Sequence, residues 1–72
     1  MAVRYEKLFL KMEEKHIGYA EMLRRAGFSG NILTRMRRNQ YVSLESVEKA
    51  CRALNCRVED ILEFDPEIKG EE

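Results

Sequence analysis

The sequence predicts an all-α protein, a compact bundle of about five short helices. Apolar residues recur at intervals of three and four, Ser, Gly and Asn stand where these segments begin and end, and no dipeptide typical of a β-hairpin is present. A chain of 72 residues can bury one small core and leaves little volume for an enclosed active site. We therefore expect one domain over residues 1–66, a flexible charged tail over residues 67–72, and no enzymatic activity.

The first three helices follow from their apolar positions and their end signals. Helix one covers residues 3–15 and carries Tyr5, Leu8, Phe9 and Met12 on one face. Helix two covers residues 18–26 and ends at Gly27, because glycine readily adopts the left-handed conformation. Ser29 offers a hydroxyl N-cap to helix three, which Asn39 closes. The inner residues of helices two and three are Met22, Ala26, Ile32, Leu33 and Met36.

Two further helices complete the bundle. Ser43 is the N-cap of helix four, and Asn55 ends it. The inner face of helix four carries Leu44, Val47, Cys51 and Leu54. A fifth, short helix carries Val58, Ile61 and Leu62 and stops at Asp65, because Pro66 disfavours a helical conformation in the residue before it.

The cysteine and histidine content points away from disulfides, metals and cofactors. Cys51 and Cys56 are the only cysteines, too few for a disulfide-dependent secreted domain, and we expect both to be reduced. His16 is the only histidine and lies far from them in sequence, so a four-ligand zinc site lacks partners. No secretory leader precedes the first amphipathic segment and no apolar run could span a membrane, which predicts a cytoplasmic protein.

Charge is distributed unevenly although the total is zero. Residues 1–40 hold nine Lys and Arg against four Glu, an excess of five positive charges, and residues 41–72 hold four Lys and Arg against nine acids. A basic half favours a polyanionic partner, because nucleic-acid affinity arises largely from displaced counterions. An unevenly charged surface without such a partner is the alternative interpretation.

Helices two and three have the layout of a helix-turn-helix unit. Two helices joined by a short turn that contains Gly form this unit, whose second helix enters the major groove of DNA. Here Phe28 fills the corner beside Gly27. The outward positions, predicted to contact bases, are Ser29, Gly30, Asn31, Thr34, Arg35 and Arg38, with Asn31 and Arg35 the first choices because their side chains match adenine and guanine. The predicted phosphate contacts are Tyr19, Arg37, Gln40 and Tyr41.

Residues 5–64 resemble a minimal Cro/cI-like (XRE-type) helix-turn-helix regulator. Three stretches carry the resemblance: residues 19–29, residues 42–56 with their Ala-Leu-Asn-Cys ending, and residues 58–62 with Glu-Asp-Ile-Leu. The resemblance implies a lambda-repressor-like DNA-binding domain of five helices. It also implies a dimer that binds operator-like double-stranded DNA, commonly as a repressor in bacteria or their phages.

The sequence departs from the family pattern in three ways. Leu23 stands where the family usually has a small residue at the approach of helices two and three. Gly18 replaces the usual Thr or Ser cap, and Gly30 with Asn31 replaces the commoner residues at the start of helix three. The resemblance therefore implies no particular operator sequence.

The surface patterns also allow a homodimer and a second class of function. Val3 and Leu10, seven residues apart on a side of helix one away from Leu8 and Met12, are candidate partner contacts, as is Phe64. A two-fold dimer would place two reading helices about 34 Å apart, which matches a palindromic operator. The alternative function is an antitoxin or anti-repressor, a module that uses the same helices to hold a protein partner.

Overall fold

The computed structural model describes residues 3–65 as four α-helices, one 3₁₀ turn and a two-stranded antiparallel sheet. The helices are α1 (Glu6–Glu14), α2 (Tyr19–Ala26), α3 (Gly30–Arg37) and α4 (Leu44–Leu54), and the 3₁₀ turn covers Val58–Asp60. Strand β1 (Val3–Arg4) pairs with strand β2 (Glu63–Phe64). The predicted helical bundle is confirmed, with the fifth helix reduced to a single turn. The predicted tail at residues 67–72 lies outside the described residues.

The short sheet corrects two expectations about the start of the chain. Val3 pairs with Phe64 and Arg4 with Glu63, so the prediction that the first helix begins at Val3 is wrong, and α1 begins at Glu6. Val3 is also 2% exposed, so it is a core residue and not the surface contact that its spacing from Leu10 suggested. The sheet joins the two ends of the described chain and buries Val3.

The core forms where the inner faces of the helices meet. Leu8, Met22, Leu33 and Met36 are all fully buried, as their spacing predicts. Leu44, in contrast, is 82% exposed, so its predicted place on the inner face of helix four is wrong. Leu44 is the first residue of α4, and burial begins two residues later, at Ser46 and Val47.

Left-handed residues end all four α-helices of the described region. Gly27, Asn39 and Asn55 have positive φ angles of 78°, 57° and 54°, which confirms the three predicted stops. His16 adopts the same conformation, with φ 58°, at the end of α1. After His16, Asn39 and Asn55, the next residue donates its N–H to the carbonyl five residues earlier, which satisfies an otherwise unpaired group at the helix end.

The two predicted serine caps differ in the structure. Ser43 Oγ accepts a hydrogen bond from the Ser46 N–H at 3.1 Å, which confirms this cap of α4. Ser29 precedes α3 with an extended backbone, but its side chain makes no bond to the first-turn N–H groups, so the predicted hydroxyl cap is wrong. Ser29 is exposed, and the first-turn N–H of Ile32 donates instead to the Ser29 carbonyl at 3.2 Å.

Candidate nucleic-acid interface

Helices α2 and α3 are joined by residues 27–29 and form a helix-turn-helix unit. Gly27 supplies the left-handed corner, and its N–H donates to the Leu23 carbonyl at 2.8 Å. Half-buried Phe28 packs against the core beside this corner, as predicted. Met22 on α2 and Leu33 on α3 are both completely buried, so the two helices are fixed by their inner faces and the outer face of α3 remains free.

The approach of α2 to α3 depends on the pair Leu23 and Gly30. Leu23 is half-buried and packs against the core. A Cβ built on Gly30 would lie 3.9 Å from Leu23 Cδ1, which is an ordinary van der Waals distance. The bulk of Leu23 is therefore accommodated at this crossing, with room left for a methyl group on Gly30.

Four of the predicted base-contacting residues share one exposed face of α3. Asn31, Thr34 and Arg35 of α3 and its C-cap residue, Arg38, are spaced at i, i+3, i+4 and i+7, and all four are exposed. We call these four residues the outer face of α3. Ser29 is exposed at the N-terminal end of this face, whereas the bare Cα of Gly30 is directed toward Leu23 on α2. A base contact by Gly30 would therefore use its backbone.

The arginines at the C-terminal half of α3 differ from most other cations of the described region. Within residues 3–65, no carboxylate lies within ion-pair distance of Arg35, Arg37 or Arg38. The cations that do have a carboxylate within 4.0 Å are Arg4, Lys7, Lys11, Arg24, Arg25, Lys49, Arg52 and Arg57. The positive charge of α3 is thus not neutralised by the described part of the fold, which suits it to an external anion.

Arg37 is held by two aromatic rings. Its Nε donates a hydrogen bond to Tyr19 Oη, and its guanidinium carbon lies 4.8 Å from the ring centre of Phe9 and 5.0 Å from that of Tyr19. The two rings are stacked with their centres 6.2 Å apart. Two predicted phosphate contacts, Tyr19 and Arg37, therefore touch each other. The spacing of Phe9 in helix one predicts only a core residue, because nothing in the local pattern of that helix indicates a contact with helix three.

The remaining predicted phosphate contacts lie beyond the C-terminal end of α3. Gln40 is exposed and donates its N–H to the Arg35 carbonyl at 2.9 Å. Tyr41 is 56% exposed. Asn39, between them and α3, accepts a hydrogen bond from the Tyr5 N–H at 3.0 Å through its side-chain oxygen. This bond ties the end of α3 to the start of α1 and fixes where Gln40 and Tyr41 leave the helix.

Other classes of site find little support among residues 3–65. This region holds no grouping of His, Cys, Asp and Glu suited to a metal ion, and none of its helices is long and apolar enough to cross a membrane. Cys51 and Cys56 are free thiols. Burial raises the pKa of both, which favours the protonated, unreactive form.

Comparison with known proteins points to the same motif. The family profile of Cro/C1-type helix-turn-helix DNA-binding domains matches residues 7–67. The crystal structure of the transcriptional regulator VanUg, in its form II, superposes with a TM-score of 0.83 at 30% sequence identity, over 92% of this chain and 88% of that one. No sequence among the curated proteins matches this chain.

Proposed function

Because the chain belongs to the family of Cro/C1-type helix-turn-helix DNA-binding domains, we propose that it represses transcription by binding an operator with the outer face of α3 in the major groove. The observation that carries this proposal is the exposed row of Asn31, Thr34, Arg35 and Arg38, whose two arginines have no acidic partner within residues 3–65. A polyanion supplies the missing negative charge, and base edges supply acceptors for the guanidinium groups.

Base selection falls to the outer face and the start of α3. Asn31 can pair bidentately with adenine and Arg35 with guanine, each pair contributing about 1–3 kcal/mol of discrimination against a wrong base. Arg38 lies one turn beyond Arg35 and two turns beyond Asn31, and it offers a further guanine contact. Thr34 can touch a thymine methyl group, while Ser29 and the Gly30 backbone lie at the end of the helix that enters the groove first.

Phosphate contacts fix the orientation of the helix on the duplex. Tyr19 begins α2 and Arg37 ends α3, so their shared contact lies at one edge of the proposed interface. Gln40 and Tyr41 follow the C-terminal end of α3. Contacts of this kind position a protein on DNA without selecting a sequence.

The proposed complex is a homodimer on a palindromic operator. Two α3 helices about 34 Å apart would read successive major grooves on one side of the duplex. Leu10 and Phe64 are apolar and 61% and 62% exposed, so they are candidates for the dimer contact. A dimer bound across a promoter would repress transcription by blocking access to it.

Selection from random-sequence duplexes with purified protein tests this function. We expect a palindromic motif, bound more tightly than random DNA, with an affinity that falls steeply as salt rises. Arg52→Ala is the control for the loss of one positive charge. We expect this variant to bind the selected motif as the wild type does, because Arg52 lies on α4 and pairs with Glu48 at 2.9 Å. Failure to enrich any motif, together with binding that is insensitive to salt, would contradict the proposal and favour the protein-interaction module.

A further inference from the structure

We propose that Phe9 is a positioning residue for DNA binding, which with Tyr19 holds Arg37 in place for a phosphate. This inference rests on the proposed DNA binding by α3 and adds a contribution from α1. Three elements converge at this point: Phe9 on α1, Tyr19 at the first position of α2 and Arg37 at the last position of α3. We call this group the arginine stack.

The kind of partner distinguishes Arg37 from most cations within residues 3–65. Arg25 and Arg52, for example, are each held by a carboxylate, at 2.8 Å and 2.9 Å, which neutralises their charge. An aromatic ring instead holds a guanidinium by the attraction of its negative face and adds no formal charge. The arginine stack therefore restrains Arg37 while leaving its full positive charge available to an anion.

The hydrogen-bond groups of the stack are also only partly used. A guanidinium carries five N–H donors, and Arg37 uses the one on Nε for Tyr19 Oη. Its terminal nitrogens, which bind phosphate in the bidentate mode, have no carboxylate partner within residues 3–65. Tyr19 Oη accepts from Arg37, so its own hydroxyl proton is left to donate to the same phosphate. The pair can thus present donors from both side chains to one anion.

A groove beside the arginine stack indicates the side of Arg37 from which the anion approaches. The groove is open, has a volume of about 700 Å³, and is lined by Glu6 and Glu13 in addition to Phe9 and Arg37. The two carboxylates repel an anion, so the groove itself is unsuited to a phosphate. The DNA backbone therefore approaches Arg37 from the outer side, where α3 carries Arg38 and Arg35.

Restraint of Arg37 before binding should increase affinity. A flexible arginine loses rotamer freedom when it binds, whereas a side chain that is already held in place avoids most of that loss. The entropy saved corresponds to a Kd that is lower by roughly threefold to tenfold. Phe9→Leu keeps an apolar group on α1 but removes the ring. We expect this variant to bind operator DNA about threefold to tenfold more weakly than the wild type.

A double-mutant cycle separates positioning from a general structural effect. The measurement is the Kd for operator DNA by fluorescence anisotropy, for Phe9→Leu made in the wild type, in Arg37→Ala and in Arg38→Ala. If Phe9 acts through Arg37, its substitution weakens binding in the wild-type and Arg38→Ala backgrounds and has no effect in the Arg37→Ala background. Equal weakening in all three backgrounds, or none in the wild type, would overturn the inference.

A second cycle covers the case in which Phe9→Leu does not fold, which a thermal melt will show. Tyr19→Phe keeps the ring and removes the hydroxyl. Because the Tyr19 hydroxyl also donates to the phosphate, we expect a loss of affinity with or without Arg37, and a larger loss while Arg37 is present. An equal loss in the two backgrounds would refute the coupled contact. Failure of the proposed function is a separate result, because the wild type would then bind no duplex, whereas failure of this inference leaves wild-type binding intact.

Discussion

Leu23 Cδ1 lies 3.9 Å from the point at which a Cβ on Gly30 would stand. This distance brings a large side chain on α2 into ordinary contact range of the first residue of α3, with no overlap. The helix-turn-helix unit thus keeps a close approach despite a leucine at the crossing. The two glycines therefore differ, since Gly27 has a positive φ, whereas Gly30 does not and has room for a methyl group.

Alanine substitution at the two glycines is expected to change stability in opposite directions. Gly27→Ala should lower the free energy of unfolding by about 1–2 kcal/mol, because an L-residue at φ 78° is strained although nothing lies within 4 Å of the new methyl group. Gly30→Ala should raise it by up to about 1 kcal/mol, because the methyl fits beside Leu23 and alanine favours a helix. Urea unfolding measures both, and destabilisation by Gly30→Ala would contradict the packing described here.

The two serines that precede helices give a second matched pair. Ser43→Ala removes the bond from the Ser46 N–H and should cost about 1 kcal/mol of unfolding free energy. Ser29→Ala should cost less than half as much, because the Ser29 side chain caps nothing. Thermal and urea unfolding of the two variants check this order. Equal losses would show that Ser29 does cap α3 in solution.

The stability contribution of the two cysteine thiols should depend on pH, and their rate of alkylation should rise on unfolding. Burial raises the pKa of Cys51 and of Cys56 above that of a free thiol, so both stay protonated at neutral pH. Their contribution to stability is complete below the ordinary thiol pKa of about 8.5 and is lost as pH rises through the folded-state values. We therefore expect iodoacetamide to modify the native protein at pH 8 more slowly than the urea-unfolded chain, as followed by mass spectrometry. Equal rates would count against this burial.

Variants of α3 should separate base contacts from phosphate contacts. Arg35→Ala should relax preference at one base position by about 1–3 kcal/mol, with less effect on random DNA. Arg37→Ala should weaken binding to all sequences and reduce the salt slope by about 0.9 for each phosphate that the variant no longer neutralises. Anisotropy with operator and random duplexes measures both quantities. Equal losses on the two duplexes for Arg35→Ala would remove this residue from the base-contacting set.

Sequence patterns predicted the helix-turn-helix unit because its signals are local. Met22, Leu33 and Met36 recur at helical spacing and are buried, and Gly27 marks the corner by its conformational freedom. The same kind of signal did not distinguish the two serines that precede helices. Ser29 and Ser43 look alike in sequence, yet only Ser43 caps. The Ser43 hydroxyl also donates to Ser46 Oγ at 3.1 Å, whereas the corresponding residue of α3 is the apolar Ile32.

Features that join distant segments were not predictable in this way. The sheet pairs Val3 with Phe64, and strands of two residues are too short to show the alternation that reveals a longer strand. The contact of Phe9 with Arg37 joins α1 to α3, so it depends on how the helices pack. Periodicity identified Phe9 as an inward residue and could not show that its ring also supports a charged group.

Chemical-shift mapping by NMR tests the central claim most directly. The measurement is a titration of the isotopically labelled protein with the selected operator duplex in dilute buffer, following backbone amide and arginine Nε–H signals. We expect the largest shifts at Tyr19, along residues 29–41 and at the Nε–H groups of Arg35, Arg37 and Arg38, with small shifts along α4 and β2. Shifts concentrated on α4 or β2 while α3 stays unchanged, or no shifts at all, would contradict DNA binding by the outer face of α3.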